Sequence, residues 1–155
     1  MKVIKIAGVI FVVGLIVIQF IQPVRNQSGQ AVITTDITHV VAVPSNVQAL
    51  FKSACYDCHS NNTAYPWYVK IQPVGWIMAA DIKKGKRELN FNEFGSYSAR
   101  KQISKLKGIA TSQKEGSMPI SAYKLMHGKS HLNKNDKISI MEWADRTKDS
   151  LQIKN

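Results

Sequence analysis

The chain has 155 residues, with 21 lysines and arginines against 10 aspartates and glutamates, and a formal net charge of +11. A hydrophobic fraction of 45% excludes an intrinsically disordered chain and a collagen-like one. Two cysteines are too few for a disulfide-built scaffold, so most of the stability must come from a packed core or a bound cofactor. The mean hydropathy of −0.15 excludes a polytopic membrane protein, and the length favours one domain.

The apolar residues are concentrated at the start of the chain, where residues 6–21 read IAGVIFVVGLIVIQFI without a charge. Lys2 and Lys5 precede this run and polar residues follow it, which is typical of a secretion signal. The exit residues are bulky, whereas signal peptidase prefers small ones, and this favours an uncleaved signal anchor. We therefore expect a membrane helix within residues 1–25, with the rest of the chain outside the cytoplasmic membrane.

The remainder divides into a predicted linker and one predicted helical domain. Residues 26–43 are polar and then β-branched, and we interpret them as the linker before a domain at residues 44–152. No convincing strand pattern occurs there, so the predicted fold is all-α. Apolar periodicity, with start signals at Ser45, Pro73 and Asn133, predicts helices over about 45–54, 73–88, 98–112, 121–127 and from 133 onward. We expect loops at residues 60–72 and 116–119.

The segment Cys55-Tyr56-Asp57-Cys58-His59 reads C-x-x-C-H, the attachment sequence of c-type haem. Each thiol adds to one vinyl group of the haem, and the two residues between them set the separation of the sulfurs. His59 then lies beneath the iron and provides the proximal nitrogen. The compartment agrees, because c-type haem is attached outside the cytoplasmic membrane. The motif therefore predicts one covalent haem c.

Three other interpretations of the two cysteines remain open. Cys55 and Cys58 could form a structural disulfide, or a thioredoxin-like redox pair, although the latter needs a βαβ context that the pattern lacks. Both thiolates and His59 could instead bind zinc with a fourth ligand. The candidates for that ligand are His39, His127 and His131, and the spacing of the last two is compatible with zinc.

The sixth iron position needs a second ligand, for which Met118 is the leading candidate. It stands between Gly116 and Pro119 in a predicted break, where an extended segment can lie against the open face of the haem. Methionine and histidine together raise the reduction potential, which suits electron transfer. Met78 and Met141 lie at helical spacing among apolar neighbours and are predicted to be core residues. His127 is the main rival, followed by His131 and His39, and Met126 is a further methionine candidate.

The segments CYDCHSNNTAYPWYVKIQPVGWI, GKRELNF and SMPISAYKLMH, with a closing helix over residues 132–143, together resemble a known family. This is the haem-binding domain family of small bacterial c-type cytochrome-like proteins, and its motifs occur here in order over about residues 47–143. The resemblance implies a cytochrome c-like helical fold, covalent haem and Met118 as the distal ligand. Gly128 departs from the proline expected after His127, which leaves the chain direction there open.

Four large amphipathic residues are suited either to wall a porphyrin or to fill a small core: Trp67, Tyr68, Trp76 and Tyr123. The charge of +11 predicts acidic redox partner proteins and attraction to a negative membrane surface. Nucleic acid is not expected as a partner, because the export signal separates the domain from it.

The expected function is that of a membrane-anchored monohaem c-type cytochrome, with its haem domain in the bacterial periplasm. Such a protein transfers single electrons, so we expect a carrier rather than an enzyme. The alternative is a haem sensor or a peroxidase-like enzyme with a displaceable sixth ligand, in which His127 would act as the acid–base residue.

Overall fold

The computed structural model describes residues 2–29 and 34–154 of the chain. Within these ranges the fold is all-helical, as the sequence predicts, and it contains no strand. Three 3₁₀ helices lie at Trp67–Lys70, Phe91–Ser96 and Gly128–Ser130. The α-helices are α1 (Lys2–Ile18), α2 (Ile37–Val40), α3 (Ser45–Ala54), α4 (Tyr56–His59), α5 (Val74–Glu88), α6 (Ala99–Glu115), α7 (Ser121–Met126) and α8 (Lys134–Lys154).

Local signals set most of these boundaries. Asn133 caps α8 in a reciprocal arrangement, because its Oδ1 accepts from the Asp136 amide at 3.0 Å while its own amide donates to Asp136 Oδ2 at 2.9 Å. Gly116 ends α6 in the left-handed conformation with φ 67°, which glycine adopts at little cost. Ser45 is the first residue of α3 rather than its cap, and no side chain caps that helix.

The short helix α2 and the 3₁₀ helices were not predicted. The 3₁₀ helix Trp67–Lys70 lies inside the predicted loop at residues 60–72, and α2 lies inside the predicted linker. Asp36 caps α2 by accepting from the Thr38 amide at 2.9 Å. Short helices of this kind carry little periodicity, so their hydrophobic pattern is too brief to identify them.

The apolar core lies where α6 and α8 pack against each other and against α3. Leu106 of α6 and Ile140 of α8 are fully buried. The ring of Phe51 stacks on Phe91 at 4.9 Å and meets Trp143 edge-on at 5.2 Å. The Trp143 indole nitrogen also donates to the Ala42 carbonyl at 2.9 Å, which ties the segment before α3 to α8. Outside this core, α4 contacts both α3 and α5.

The N-terminal apolar run forms α1, and none of its residues is buried. Within residues 2–29 and 34–154, no helix combines the length and the hydropathy needed to cross a bilayer. The structure therefore gives no support to the membrane-spanning part of the sequence prediction.

The residues that follow α1 are hydrogen-bonded to the helical domain. Gln19 pairs twice with the backbone of Gln72, as its Oε1 accepts from the amide at 2.8 Å and its Nε2 donates to the carbonyl at 3.2 Å. The Gln72 side chain donates to Gln22 Oε1 at 3.0 Å, and the Trp76 indole donates to the Ile21 carbonyl at 2.8 Å. Asn26 continues this attachment through hydrogen bonds to Ser60, Thr63 and Lys86. The predicted boundaries at residues 25 and 43 stay predictions. The hydrogen bonds of Gln19 and Gln22 link residues before the first boundary to the helical domain.

Candidate functional site

The C-x-x-C-H segment forms the turn from α3 into α4 and packs against α5. Cys55 ends α3, and Cys58 and His59 lie in the single turn of α4. The helices approach most closely at Gly85 of α5, where a Cβ atom would lie 2.6 Å from the Cys58 carbonyl oxygen. Only glycine allows this approach, so Gly85 fixes how the two cysteines lie relative to α5.

The ring of His59 is oriented by one hydrogen bond. Its Nδ1 lies 2.9 Å from the Leu89 carbonyl oxygen, which can only accept, so Nδ1 carries the proton and donates. The lone pair of the neutral ring is therefore on Nε2, the form that binds a metal ion, with the carbonyl as the supporting contact. Burial lowers the pKa of His59 below its usual 6.5, although the hydrogen bond to Leu89 opposes this shift. The hydrogen bond to Leu89 thus favours the tautomer in which Nε2 can bind a metal ion.

The two cysteines are free thiols in partly buried positions. Burial, followed by the charge of Cys58, raises the pKa of the Cys55 thiol to about 12. Burial, followed by the charge of Asp57, raises the pKa of Cys58 to about 11. Both groups are therefore protonated at neutral pH. They are not the low-pKa thiolates typical of a redox pair, and the structure contains no Cys55–Cys58 disulfide.

Two adjoining cavities, of about 120 Å³ and about 350 Å³, open beside this segment. Cys58, Asp81, Gly85 and Tyr123 line the smaller one, whereas Phe51, Phe91 and the cavity face of α6 line the larger one. Met118, which is 37% exposed, belongs to the walls of both. The residues common to the two cavities are Ala54, Cys55, His59, Glu88, Met118 and Pro119. The structure thus brings both cysteines, the predicted proximal histidine and the predicted distal methionine to one connected space.

The residues of this space suit a flat, mainly apolar group with a polar edge. Ser104, Gly108 and Ser112 present small side chains from successive turns of α6. A Cβ added at Gly108 would meet nothing within 4 Å, so the helix leaves open space there. Gln113 of the same wall has a buried Oε1 with no hydrogen-bond partner among the described residues. With two thiols and one metal-ready imidazole beside it, this donor set fits a covalently attached haem.

A chain of side chains connects the C-x-x-C-H segment through Tyr123 of the cavity wall to His127 and Tyr68. The Tyr123 hydroxyl donates to Asp57 Oδ2 at 2.6 Å, and burial followed by this hydrogen bond raises the pKa of Tyr123. The rings of Tyr123 and His127 stack at 4.0 Å. The His127 Nε2 lies 3.1 Å from the Tyr68 hydroxyl. None of these contacts was anticipated from the sequence.

Several other predicted residues lie outside the walls of the two cavities. Trp67 is 73% exposed, and the hydroxyl of Tyr68 faces His127. Their role as walls of a porphyrin stays a prediction. His39 is exposed, and His131 bonds to the Lys124 carbonyl. Within residues 2–29 and 34–154, no three His, Cys, Asp or Glu side chains are grouped as metal ligands, so the zinc interpretation lacks its ligand set there.

Two residues that shape the site, Gly85 and Gly108, were not predicted as site residues, although the sequence contains a signal for them. Gly85 and Gly108 both interrupt helical patterns, and an isolated glycine in a helix often marks close packing or a binding surface. The roles of Asp57 and Leu89 had no such signal, because they depend on which atoms the fold places beside Tyr123 and His59.

The fold and the site together define an all-α protein with a cavity equipped for haem. The comparison with protein families agrees, since the sequence matches the haem-binding domain family over residues 13–146, most of the chain. The protein belongs to this family. No curated protein and no solved structure gives a significant match to it.

Proposed function

We propose that this protein is an exported, membrane-anchored c-type cytochrome that transfers single electrons through one haem. The observation that carries the proposal is the arrangement of His59, whose Nδ1 is held by the Leu89 carbonyl beside a cavity that both cysteines line. A bound haem would supply one-electron chemistry at its iron. The chain's own residues attach it, orient it and limit access to it.

Attachment would use Cys55 and Cys58 as thiols. Each thiol would add across one vinyl group, with its sulfur and its proton going to the two vinyl carbons, so no oxidant would be consumed. The raised pKa values of both cysteines keep them in the thiol form at neutral pH. The close approach at Gly85 holds Cys58 against α5, which fixes where its sulfur would meet the ring edge.

Ligation would use His59 on the proximal side and Met118 on the distal side. Met118 shares both cavity walls with His59, and Pro119, which follows it, is buried. With both axial positions filled by side chains, the protein would exclude external ligands and act as a carrier. The sensor or peroxidase-like alternative would require Met118 to leave the iron. Because the Met118 side chain is 37% exposed, the experiment below tests this alternative as well.

The anchoring proposal is supported by the exposed apolar surface of α1. Residues such as Ile10, Phe11 and Ile16 are more than half exposed, although their side chains are apolar. Lipid would cover such a surface, and Lys2 and Lys5 would remain on the cytoplasmic side. The haem domain would then be periplasmic. The hydrogen bonds of Gln19 and Gln22 to Gln72 would hold it close to the membrane surface.

The net charge of +11 supports acidic redox proteins as partners. Lys84 and Lys105 line the two cavities and would place positive charge near the haem. A partner steered in this way should associate more slowly as the salt concentration rises. If its electron-transfer rate did not change with ionic strength, this part of the proposal would be wrong.

The test is to produce the full chain in a bacterial host that attaches c-type haem, and to record its mass and visible spectrum. We expect the mass of one haem added to the polypeptide, and its loss in the Cys55→Ser/Cys58→Ser variant. An added mass of zero in the wild-type protein would overturn the proposal. Recovery of the protein in the membrane fraction after an alkaline wash tests the anchor separately.

The distal ligand is tested by Met118→Ala, with Met126→Ala as the matched control. Met126 lies in α7, is 53% exposed and does not line either cavity. We expect Met118→Ala to abolish the methionine–iron charge-transfer band and to admit carbon monoxide to the ferrous protein. Met126→Ala should leave both properties unchanged. Ready carbon monoxide binding by the wild-type protein would favour the sensor or enzyme alternative.

A further inference from the structure

Residues 117–127, which we call the distal strap, carry Met118 along the cavity and continue through α7. Of these residues only Pro119 is buried, and α7 has no buried residue at all. Apolar packing therefore contributes little to holding α7 in place. Some other contact must fix the strap over the cavity.

The contacts that hold the strap are polar and aromatic. Tyr123, which lines the smaller cavity together with Met118 and Pro119, donates to Asp57 Oδ2 at 2.6 Å. At the end of the strap, His127 stacks on Tyr123 and bonds to the Tyr68 hydroxyl. Because the His127 Nδ1 donates to the Tyr123 carbonyl at 3.1 Å, its Nε2 in the neutral ring accepts from Tyr68.

The acceptor in this arrangement has a fixed position. Asp57 lies between the two cysteines, its Oδ1 accepts from the Ala64 amide at 3.0 Å, and its carbonyl accepts from the Thr63 hydroxyl at 2.6 Å. Asp57 is therefore tied to the loop after α4 by two further hydrogen bonds. A donor on the strap that reaches Oδ2 is held relative to the C-x-x-C-H segment itself.

We propose that Tyr123 is a positioning residue whose hydrogen bond to Asp57 latches the distal strap over the cavity and keeps Met118 at the sixth position. The inference rests on the proposed haem c with Met118 as its distal ligand. The latch sets how often the strap opens, and so how readily an external ligand replaces the methionine. The hydrogen bond therefore determines whether the protein behaves as a closed electron carrier or as an open protein that binds external ligands at its haem.

The experiment measures binding of imidazole to the oxidised full-length holoprotein by visible spectroscopy. Tyr123→Phe keeps the ring and its stacking on His127 but removes the hydroxyl. A hydrogen bond to a charged group is among the stronger ones in proteins, so we expect the apparent imidazole affinity to rise by about tenfold or more. The methionine–iron band should persist without imidazole, because Met118 itself is unchanged.

The matched control is Tyr65→Phe, which also removes one tyrosine hydroxyl. That hydroxyl accepts from the Asn26 amide at 2.7 Å, and Tyr65 lines neither cavity beside Met118. Its imidazole affinity should equal that of the wild-type protein. Met118→Ala gives the upper limit, because its sixth position has no side-chain competitor.

Wild-type imidazole affinity in Tyr123→Phe would overturn the inference, even if the variant were less stable to urea, since the tyrosine would then be only structural. If Tyr123→Phe yields no holoprotein, Tyr68→Phe decides the matter. It releases the other end of the strap, so an increase of a few-fold supports the latch and an unchanged affinity overturns it. Failure of the proposed function would appear differently, as a wild-type protein without covalent haem or without a Met118-dependent band.

Discussion

The apolar core and the cavity beside the C-x-x-C-H segment are stabilised in different ways. In the core, α3, α6 and α8 contribute to a continuous apolar cluster that includes Leu106, Ile140 and Trp143. Around the cavity, the walls come from α4, α5, α7 and one face of α6, and α7 has no buried residue. The core can hold its shape through burial alone. The cavity walls depend on a glycine contact, on side-chain hydrogen bonds and, as we propose, on a covalent cofactor that fills the space.

This difference separates stability from function within one small domain. A packed core resists change because each removed atom leaves a void, whereas a cavity wall must remain open to accept its ligand. Cys55 lies between the two regions, since it follows α3 directly and lines both cavities. Substitutions in the core should change the free energy of unfolding, whereas substitutions at the cavity should also change haem attachment or ligand binding. The following predictions test that separation.

The largest effect on stability is expected from Leu106→Ala. Leu106 is 0% exposed, belongs to the apolar cluster and lines neither cavity. The variant should lower the free energy of unfolding by about 2–5 kcal/mol in urea denaturation of the holoprotein. Phe20→Ala is the control, because Phe20 is 83% exposed, and it should change that free energy little. Equal losses in the two variants would contradict a core in which Leu106 is buried.

An intermediate effect is expected from Gly85→Ala, which places a methyl group against Cys58. The new Cβ would lie 2.6 Å from the Cys58 carbonyl oxygen, so α4 must move away from α5 at a cost of about 1–3 kcal/mol. The yield of covalent haem per polypeptide should fall as well. In the haem-free chain, Gly108→Ala, where nothing lies within 4 Å, should instead stabilise α6 by up to about 1 kcal/mol. Similar urea curves for the two variants would refute the close approach.

A smaller effect is expected from Asn26→Ala, in the segment between α1 and the domain. The side chain donates to Ser60 and Thr63 and accepts from Lys86 at 2.8–2.9 Å. Losing these partly exposed bonds should cost about 1–2 kcal/mol in urea denaturation. Asn46→Ala on the exposed surface of α3 is the control and should be nearly neutral. An unchanged urea denaturation curve for Asn26→Ala would show that this segment does not stabilise the domain.

The last effect is absent at neutral pH and appears only under alkaline conditions. The folded haem-free chain holds Cys55 and Cys58 as thiols with pKa values of about 12 and about 11, whereas in the unfolded chain both titrate near 9.0. Above pH 9 the unfolded state loses these protons first, so the free energy of unfolding should fall as pH rises toward 11. Urea denaturation at several pH values measures this slope. The Cys55→Ser/Cys58→Ser variant should lose the cysteine contribution, and an identical slope would disprove the burial of the thiols.

The sequence predicted the helices well where periodicity and end signals agreed. Asn133 marked the start of α8, and the segment around Gly116 marked the break after α6, because both residues act through local backbone geometry. The short α2 and the 3₁₀ helices escaped prediction, since so few residues show no period. The membrane helix was predicted from composition, and α1 reproduces its helical character without meeting the requirements for a span.

The site was predicted only as far as its chemistry is local. Cys55, Cys58 and His59 could be predicted as attachment residues because the C-x-x-C-H pattern spans only five residues, and this role stays a prediction. Met118 came from its position in a loop before proline and from the family resemblance, and the structure places it in the same cavity walls as His59. The predicted placement of Trp67 and Tyr68 depended on long-range packing, and the two cavities are lined by other residues.

The sequence by itself determined the helical class, the C-x-x-C-H motif and the strongly basic character, because each depends on neighbouring residues or on simple sums. Only the tertiary structure decided that the Leu89 carbonyl orients His59, that Gly85 admits Cys58, and that Tyr123 reaches Asp57. These pairs are separated by about 27 to 66 residues in the chain, and their contacts depend on how helices cross rather than on any local preference. A side chain's partner is set by packing, which no local pattern records.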